Sequence, residues 1–102
     1  MDITDALNCL SALSHETRLW VFRLLVQAGP DGLSAGEVAD GLSSRQNTMS
    51  SHLVKLKDAG LITRRRQGRR VIYRASAARM QQLIAFLQAE TGASPESAAD
   101  AG

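Results

Sequence analysis

The spacing of apolar side chains predicts two helices in the first thirty residues. In residues 2–13 they recur as on one face of a helix, at Ile3, Ala6, Leu7, Leu10 and Leu13. Residues 19–26 are apolar nearly all round, which places a second helix at the centre of a fold. Ser14 is predicted to cap this second helix at its start. The sequence Gly-Pro-Asp-Gly at residues 29–32 is predicted to end it with a turn.

Two capping signals lie close together in the next segment. Ser34 precedes Glu37 by three positions, and Ser43 precedes Gln46 by three, which is the spacing of a capping box at the start of a helix. Gly41 lies between them and is the predicted end of the first of these two helices. A helix, a tight turn that contains glycine and a new helix form the layout of a helix-turn-helix motif.

The second helix of this motif is predicted over residues 44–59. Its apolar side chains are spaced by four and three positions, at Met49, Leu53 and Leu56. Gly60 follows as the predicted end residue, and Leu61 supplies the apolar contact of a Schellman motif. The opposite side of this helix is polar along most of its length.

Residues 61–74 change character and predict a β-hairpin. Two β-prone triplets, 61–63 and 71–73, flank a run of arginines that contains one glycine. A last helix is predicted over residues 76–91, with one apolar stripe at Met80, Leu83, Ile84 and Leu87. The tail, residues 92–102, is small, polar and acidic and is predicted to be disordered.

These elements, four helices, a hairpin and a last helix, give a mainly α fold with a small β-hairpin. The arrangement is that of a winged helix-turn-helix with about five helices. At 102 residues the chain fits one domain, predicted over residues 1–91. A domain of this size buries a modest fraction of its surface, so dimerisation would enlarge its core.

The net charge is only +2, but the positive charge is gathered in one segment. Residues 61–79 contain seven arginines and no acid, whereas residues 1–60 contain seven acids and five bases. The seven are Arg64, Arg65, Arg66, Arg69, Arg70, Arg74 and Arg79. Such a cluster is the electrostatic footprint expected for phosphate, although alone it would also fit a solvated basic loop.

The polar side of the second helix suits the major groove of double-stranded DNA. Short polar and basic groups on the first turns of a recognition helix reach base edges, with arginine suited to guanine, glutamine or asparagine to adenine, and the threonine methyl group to thymine. The predicted contacts of this helix are Ser44, Arg45, Gln46, Asn47, Thr48, Ser50, Ser51, His52 and Lys55. Small serines let the backbone approach, Lys55 suits a phosphate, and His52 suits a DNA contact or a solvated position.

The hairpin is predicted to act as a wing, whose arginines follow the DNA backbone or enter a narrow minor groove. Its predicted DNA contacts are Arg66, Gln67, Arg69, Arg70 and Tyr73. For each polar residue taken alone, a solvated surface remains the alternative. The capping signals and the basic hairpin independently predict the same fold, and this agreement favours DNA binding.

The sequence offers little for metal or thiol chemistry. One cysteine, Cys9, excludes an internal disulfide and a cage of thiolates from one chain. It is predicted to be a buried structural residue, with a thiol sensor as the alternative. His15 and His52 lie on different predicted elements without companion ligands, so no metal site and no cofactor are predicted.

Catalysis and membrane insertion are also not expected. The chain has no glycine-rich phosphate loop, nucleophile motif or plausible carboxylate pair, so it is predicted not to be an enzyme. It has no signal peptide at its start and no apolar run long enough to span a membrane. The predicted location is the cytoplasm.

The sequence closely resembles the ArsR/SmtB family of winged-helix repressors in three segments. These are residues 13–19 with the apolar helix after them, residues 46–62, and residues 64–74. The likeness covers about residues 5–90. The resemblance implies a homodimer joined through the first and last helices, a palindromic operator, and release of DNA when an inducer binds. The apolar residues that such a dimer would bury are Ile3, Leu7, Leu10, Met80, Leu83, Ile84 and Leu87.

The sequence departs from the metal-sensing and redox-sensing members of that family. Their arsenic and cadmium sites use a Cys-x-Cys at the helix-turn-helix, and here residues 35–42 contain no cysteine. Their zinc and nickel sites use Asp and His on the last helix, and residues 79–91 contain neither. Redox members use two cysteines, and this chain has only Cys9. The inducer is therefore expected to be something other than a metal at these sites.

Three alternatives remain open from the residues. The chain could be a winged-helix module that holds a protein partner through its hairpin or last helix. It could be an architectural protein that binds DNA without sequence preference, in which case phosphate contacts would dominate its affinity. A redox-responsive repressor that senses through Cys9 is a variant of the leading hypothesis.

Overall fold

In a computed structural model the backbone is described for residues 1–44 and 46–91, and the side chains at 46, 47 and 91 lie outside the description. The elements are α1 (Ile3–Leu13), α2 (Glu16–Ala28), a 3₁₀ helix (Gly29–Asp31), α3 (Ala35–Gly41), α4 (Gln46–Asp58), β1 (Ile62–Gln67), β2 (Arg70–Ala75) and α5 (Ala77–Thr91). The predicted order of elements is confirmed. The predicted tail, residues 92–102, lies outside the described residues, as does Arg45 in the predicted second capping box.

The start of α2 differs from the prediction by one residue. His15, not Ser14, is the N-cap, and its Nδ1 accepts a hydrogen bond of 3.2 Å from the backbone N–H of Thr17. Because α1 continues to Leu13, the N–H of Ser14 is already bonded to the carbonyl of Ser11 at the end of that helix. His15 therefore has the extended backbone that a cap requires, and the predicted cap at Ser14 is wrong.

The capping box at the start of α3 is confirmed. Ser34 Oγ accepts from the N–H of Glu37 at 3.2 Å, and the Glu37 carboxylate accepts from the N–H of Ser34 at 2.9 Å. Two N–H groups that a helix start leaves unpaired are satisfied in this way. The helix ends at Gly41, as predicted.

The end of α4 is the predicted Schellman motif. Gly60 has a φ of 78°, its N–H bonds the carbonyl of Lys57 at 2.9 Å, and the N–H of Leu61 bonds the carbonyl of Leu56 at 3.1 Å. Both Leu56 and Leu61 are fully buried, which provides the apolar contact that accompanies this motif. The chain is thereby turned from α4 directly into the first strand.

The core is aliphatic and lies between α2 and α4. The apolar side of α4 packs on Val21 and Leu25 of α2, and all of these side chains are buried. The buried side chains of α4 are Met49, Leu53 and Leu56. Ala6, Cys9 and Ala12 of α1 close one side of the core, and Leu83 of α5 contributes to it from the far end of the chain.

The hairpin is longer than the two predicted triplets. β1 and β2 pair antiparallel from Ile62 opposite Ala75 to Gln67 opposite Arg70, so the strands run through most of the arginines. Only Gly68 and Arg69 are left as the loop, and Gly68 has the positive φ, 62°, that two-residue hairpin loops need. The predicted strands of three residues were too short. Backbone pairing continues along the exposed hairpin even where the side chains have no strong preference for a strand.

A short bridge joins the hairpin to the approach to α3. The N–H of Leu33 bonds the carbonyl of Tyr73 at 3.0 Å, and the N–H of Tyr73 bonds the carbonyl of Leu33 at 2.8 Å. Gly32, immediately before the bridge, has a φ of 66° and lies so close to β2 that an added Cβ would be 2.7 Å from Ile72 Cγ2 and 2.8 Å from Arg74 Cγ. The base of the hairpin is therefore fixed against the segment that leads into α3.

Among the residues that the structure describes, no helix is both long enough and apolar enough to cross a membrane.

Gly32 and Gly29 form a matched pair for testing this close approach. Both have a positive φ that is strained for alanine, but a Cβ at Gly29 would have open space around it. We expect Gly29→Ala to lower the free energy of unfolding by about 1–3 kcal/mol, the cost of the backbone conformation. Gly32→Ala should cost about 1–3 kcal/mol more, because the methyl group also overlaps β2. Urea unfolding followed by circular dichroism measures both, and equal losses would contradict the close approach.

Candidate DNA-binding surface

The turn between α3 and α4 is tight and hydrogen-bonded. After Gly41 the N–H of Ser43 bonds the carbonyl of Asp40 at 3.2 Å, and the N–H of Ser44 bonds the carbonyl of Ala39 at 2.8 Å. Ser43 has a φ of 52°, a conformation that costs a non-glycine residue free energy and is common in such turns. The start of α4 is thus set at a fixed angle to α3, as a helix-turn-helix requires.

The polar side of α4 faces solvent because the apolar side packs in the core. The predicted contacts that are exposed are Ser44, Thr48, Ser50, Ser51 and Lys55. Ser51 Oγ donates to the carbonyl of Thr48 at 3.2 Å, so this hydroxyl bonds its own helix. Arg45 and the side chains of Gln46 and Asn47, which were predicted to read bases, lie outside the described residues.

His52 is half-buried and lies against His15, with ring centroids 4.8 Å apart. Burial lowers the pKa of His52 below its usual 6.5, and its electrostatic interactions with His15, Arg18 and Lys55 act in the same direction. Its imidazole is therefore neutral at pH 7. Because folding lowers this pKa, protonation of His52 lowers the free energy of unfolding as the pH falls below about 6.5.

The histidine pair was not foreseen from the sequence, which placed His15 and His52 on separate elements. His15 Nδ1 already caps α2, so His15 has a structural role. Over residues 1–44 and 46–91, no group of three or more His, Cys, Asp or Glu side chains is arranged to hold a metal ion.

The arginines of the hairpin are exposed from Arg64 to Arg70. Arg66 Nε donates to the carbonyl of Gly68 at 3.2 Å, which orients its side chain along the loop. Arg70 forms an ion pair with Glu37 on α3, with 61% of the Arg70 side chain and 47% of the Glu37 side chain exposed. So exposed a pair contributes little to stability, but it does orient both partners.

Glu37 is a residue whose second role the sequence did not reveal. The backbone N–H and the hydroxyl of Ser34 hold the pKa of this carboxyl below its usual value, and Arg70 adds to the effect. One carboxylate therefore caps α3 and holds the wing beside the helix-turn-helix. The capping pattern identified Glu37, but nothing local to residue 37 indicates an arginine 33 positions away.

Three other residues of the basic hairpin region have structural contacts. Tyr73 is half-buried against the core and carries the bridge to Leu33. Arg74 Nε donates to the carbonyl of Pro30 at 2.5 Å. Arg79 Nε donates to the carbonyl of Ala59 at 3.1 Å, at the end of α4, where a cation is favourable. The phosphate footprint is therefore concentrated on the hairpin itself.

The predicted dimer residues fall into two groups in the single chain. Ile3 and Leu7 of α1 are 63% and 59% exposed, and Leu10, Ile84 and Leu87 are exposed as well. We call these five residues the α1/α5 face. Leu83, in contrast, is 3% exposed in the core, and Met80 is half-buried against it.

Cys9 is fully buried on α1, and its thiol donates to the carbonyl of Ala59 at 3.4 Å. The position agrees with the structural role predicted for it. A thiol without solvent access is a poor target for oxidants.

The chain is similar to known helix-turn-helix regulators. The helix-turn-helix domain family matches residues 13–65, about half of the sequence. The biofilm growth-associated repressor of Agrobacterium fabrum is 33% identical over 86 residues, which span 84% of this chain and 71% of that protein.

Two solved structures share the fold over most of its length. An ArsR-like transcriptional regulator from Rhodococcus sp. RHA1 superposes with a TM-score of 0.79 at 27% identity, covering 87% of this chain and 81% of the other. The homodimeric winged helix-turn-helix DNA-binding domain of a Mycobacterium bovis protein gives a TM-score of 0.70 at 28% identity, covering 88% and 81%.

The fold, the exposed polar side of α4, the basic hairpin and these matches agree with one another. They confirm the winged helix-turn-helix predicted from the sequence and support a role in DNA-binding regulation. The chain belongs to the ArsR/SmtB family of winged helix-turn-helix transcriptional regulators.

Proposed function

We propose that this regulator is a homodimeric, sequence-specific repressor that binds a palindromic operator. α4 enters the major groove, and the arginine-rich hairpin lies on the backbone or in the adjacent minor groove. The observation that carries the proposal is the fixed arrangement of α4, with its polar side exposed, beside a hairpin of exposed arginines. Repression is favoured by the name of the Agrobacterium relative.

The contacts divide into two kinds. The residues from Ser44, just before α4, to Thr48 in its first turn would read bases, because residues at the start of a recognition helix come closest to base edges. Lys55, further along α4, and Arg66 and Arg69 on the wing would bind phosphates, which fix the position of the protein on the duplex without specifying sequence. Arg70 would act mainly through Glu37 by holding the wing in place.

The α1/α5 face would form the dimer interface. Five large apolar side chains are exposed there on two helices that pack on each other, and a two-fold axis through such a patch buries it in both copies. A two-fold dimer presents two copies of α4, which explains a palindromic operator. The Mycobacterium bovis domain is homodimeric, which supports this assembly.

The proposal is tested by fluorescence anisotropy on duplex DNA from immediately upstream of the protein's own gene, beside a shuffled duplex, over a range of salt concentrations. We expect about a hundredfold or greater preference for the upstream DNA, as specific complexes show. Equal and steeply salt-dependent binding to both duplexes would indicate an architectural protein. No binding to either at low salt would overturn DNA binding and favour a protein partner.

The phosphate contacts of the wing are tested with two matched variants in the same assay. Arg69→Ala should reduce the slope of log affinity against log salt by about one, with unchanged sequence preference, because it removes one phosphate contact. Arg23→Ala removes the same charge from α2, where the guanidinium lies 4.8 Å from the ring centroid of Trp20. It should leave the slope unchanged. An equal effect of both variants would mean that only net charge matters.

The dimer interface is tested with Ile84→Glu, which places a charge on the α1/α5 face. We expect this variant to be monomeric in analytical ultracentrifugation where the unmodified protein is dimeric, because an unpaired charge in an apolar interface is costly. Val54→Glu is the control, since Val54 is similarly exposed but lies on α4. A dimeric Ile84→Glu protein would exclude this face from the interface.

The redox alternative is tested with Cys9→Ser. Because the thiol is fully buried, we expect a thiol reagent to react with folded protein on the order of 10²-fold or more slowly than with unfolded protein. Hydrogen peroxide should not change operator affinity, either in the unmodified protein or in Cys9→Ser. Loss of DNA binding on oxidation in the unmodified protein only would identify Cys9 as a sensor.

A further inference from the structure

A cavity of about 600 Å³ lies where α2, the 3₁₀ helix, the end of β2 and the start of α5 meet. This volume is in the range of small-molecule sites, about 300–1,000 Å³. Its walls are mainly apolar, with Phe22, Leu25 and Val26 from α2 and Met80 from α5. None of these side chains is part of the predicted DNA-contacting surface.

One charged side chain, Arg74, lines this cavity. Its Nε donates to the carbonyl of Pro30, which leaves the other guanidinium N–H groups for a further acceptor. Arg70 and Arg79 pair with Glu37 and Asp5, but no carboxylate in the described part of the chain lies within 4 Å of the Arg74 guanidinium. A single unpaired cation in an apolar cavity is complementary to a small amphipathic anion.

We propose that this cavity binds a small carboxylic acid with an apolar chain or ring, whose carboxylate pairs with Arg74, and that this ligand weakens operator binding. The site is separate from every metal position discussed above and uses neither Cys9 nor a histidine. The regulatory half of the proposal rests on the repressor function proposed above, whereas the binding half does not.

The position of Arg74 provides a physical route to the DNA-binding surface. Arg74 follows Tyr73 on β2, and Tyr73 is bridged to Leu33, one residue before the Ser34 cap of α3. A carboxylate bound to the remaining guanidinium N–H groups draws Arg74 into the cavity and away from the Pro30 carbonyl. Loss of that bond loosens the base of the wing from the segment that leads into α3. Since coupling is reciprocal, operator DNA should weaken ligand binding by the same factor.

A second copy of the chain is the competing occupant of the cavity. Met80 and Ala77 in its wall lie one and two turns before Ile84 on α5, so the cavity borders the α1/α5 face. An apolar side chain from a partner is disfavoured, because it would bury the charge of Arg74 and the guanidinium N–H groups that do not bond Pro30 without a counter-charge or acceptor. An anionic ligand supplies that acceptor.

The experiment is calorimetric titration of the full-length protein, without DNA, with hexanoate, octanoate, decanoate and phenylacetate, and with 1-octanol as the uncharged comparison. We expect saturable binding of at least one carboxylate at one molecule per chain. Arg74→Gln should weaken carboxylate binding roughly tenfold or more, the effect of losing one charge-assisted pair, and leave octanol binding unchanged. Arg64→Gln, which removes the same charge from β1 outside the cavity, should leave both unchanged.

A second variant tests the contribution of the cavity separately from that of the Arg74 charge. Ala77→Phe fills the cavity from an exposed helix position with Arg74 intact, and it should abolish binding of both the carboxylate and octanol. No binding of any of the four acids at 1 mM would overturn the proposal, as would equal affinity in Arg74→Gln. Loss of dimer in Ala77→Phe, without acid binding in the unmodified protein, would assign the cavity to a second copy.

Regulation is then measured by operator anisotropy with and without the acid that binds most tightly. We expect it to lower operator affinity in the unmodified protein and to have no effect on Arg74→Gln. Unchanged or tighter operator binding at saturating acid would overturn the regulatory half. If the acid binds through Arg74 but the protein shows no sequence-selective DNA binding, the proposed repressor function would be overturned. The proposed acid-binding site would still be supported.

Discussion

Burial of one side of α4 is the interaction on which the rest of the structure depends. Met49, Leu53 and Leu56 are at most 1% exposed and pack on Val21 and Leu25 of α2. Each such side chain contributes about 1.5–3 kcal/mol on burial, so rotation of α4 about its axis would be prohibitively costly. The polar side of the helix is therefore held toward solvent by the packing of its apolar side. The recognition surface is in this sense a consequence of the core.

The wing is coupled to the recognition helix through α3. Glu37 caps that helix and pairs with Arg70, and the Leu33–Tyr73 bridge holds the base of the hairpin to the residue before the cap. The absence of a Cβ at Gly32 allows this approach. A displacement of β2 must therefore reach the start of α3, which makes the cavity beside Arg74 a suitable place for a ligand to affect DNA binding.

The α1/α5 face and the cavity beside it are apolar features that the single chain leaves uncovered. The face consists of five exposed apolar side chains with no charge among them, which suits burial against a second copy across a two-fold axis. The cavity is concave and contains a guanidinium without a carboxylate partner among the described residues, which suits a small anion.

The sequence by itself determined the order of the helices, the capping box at Ser34, the Schellman end at Gly60 and the presence of the basic hairpin. The helix signals depend on residues within about five positions of one another, and the hairpin joins two strands that are consecutive in the chain. It could not assign the partners of the arginines. Arg70, Arg74 and Arg79 are alike in the sequence, but they bond residues 33, 44 and 20 positions away. The pairing of His15 with His52 and the cavity at Arg74 likewise arise from the approach of distant segments. Only the tertiary structure could decide these features, because charge and polarity give a side chain its capacity to bind, whereas its partner is set by which backbone lies beside it.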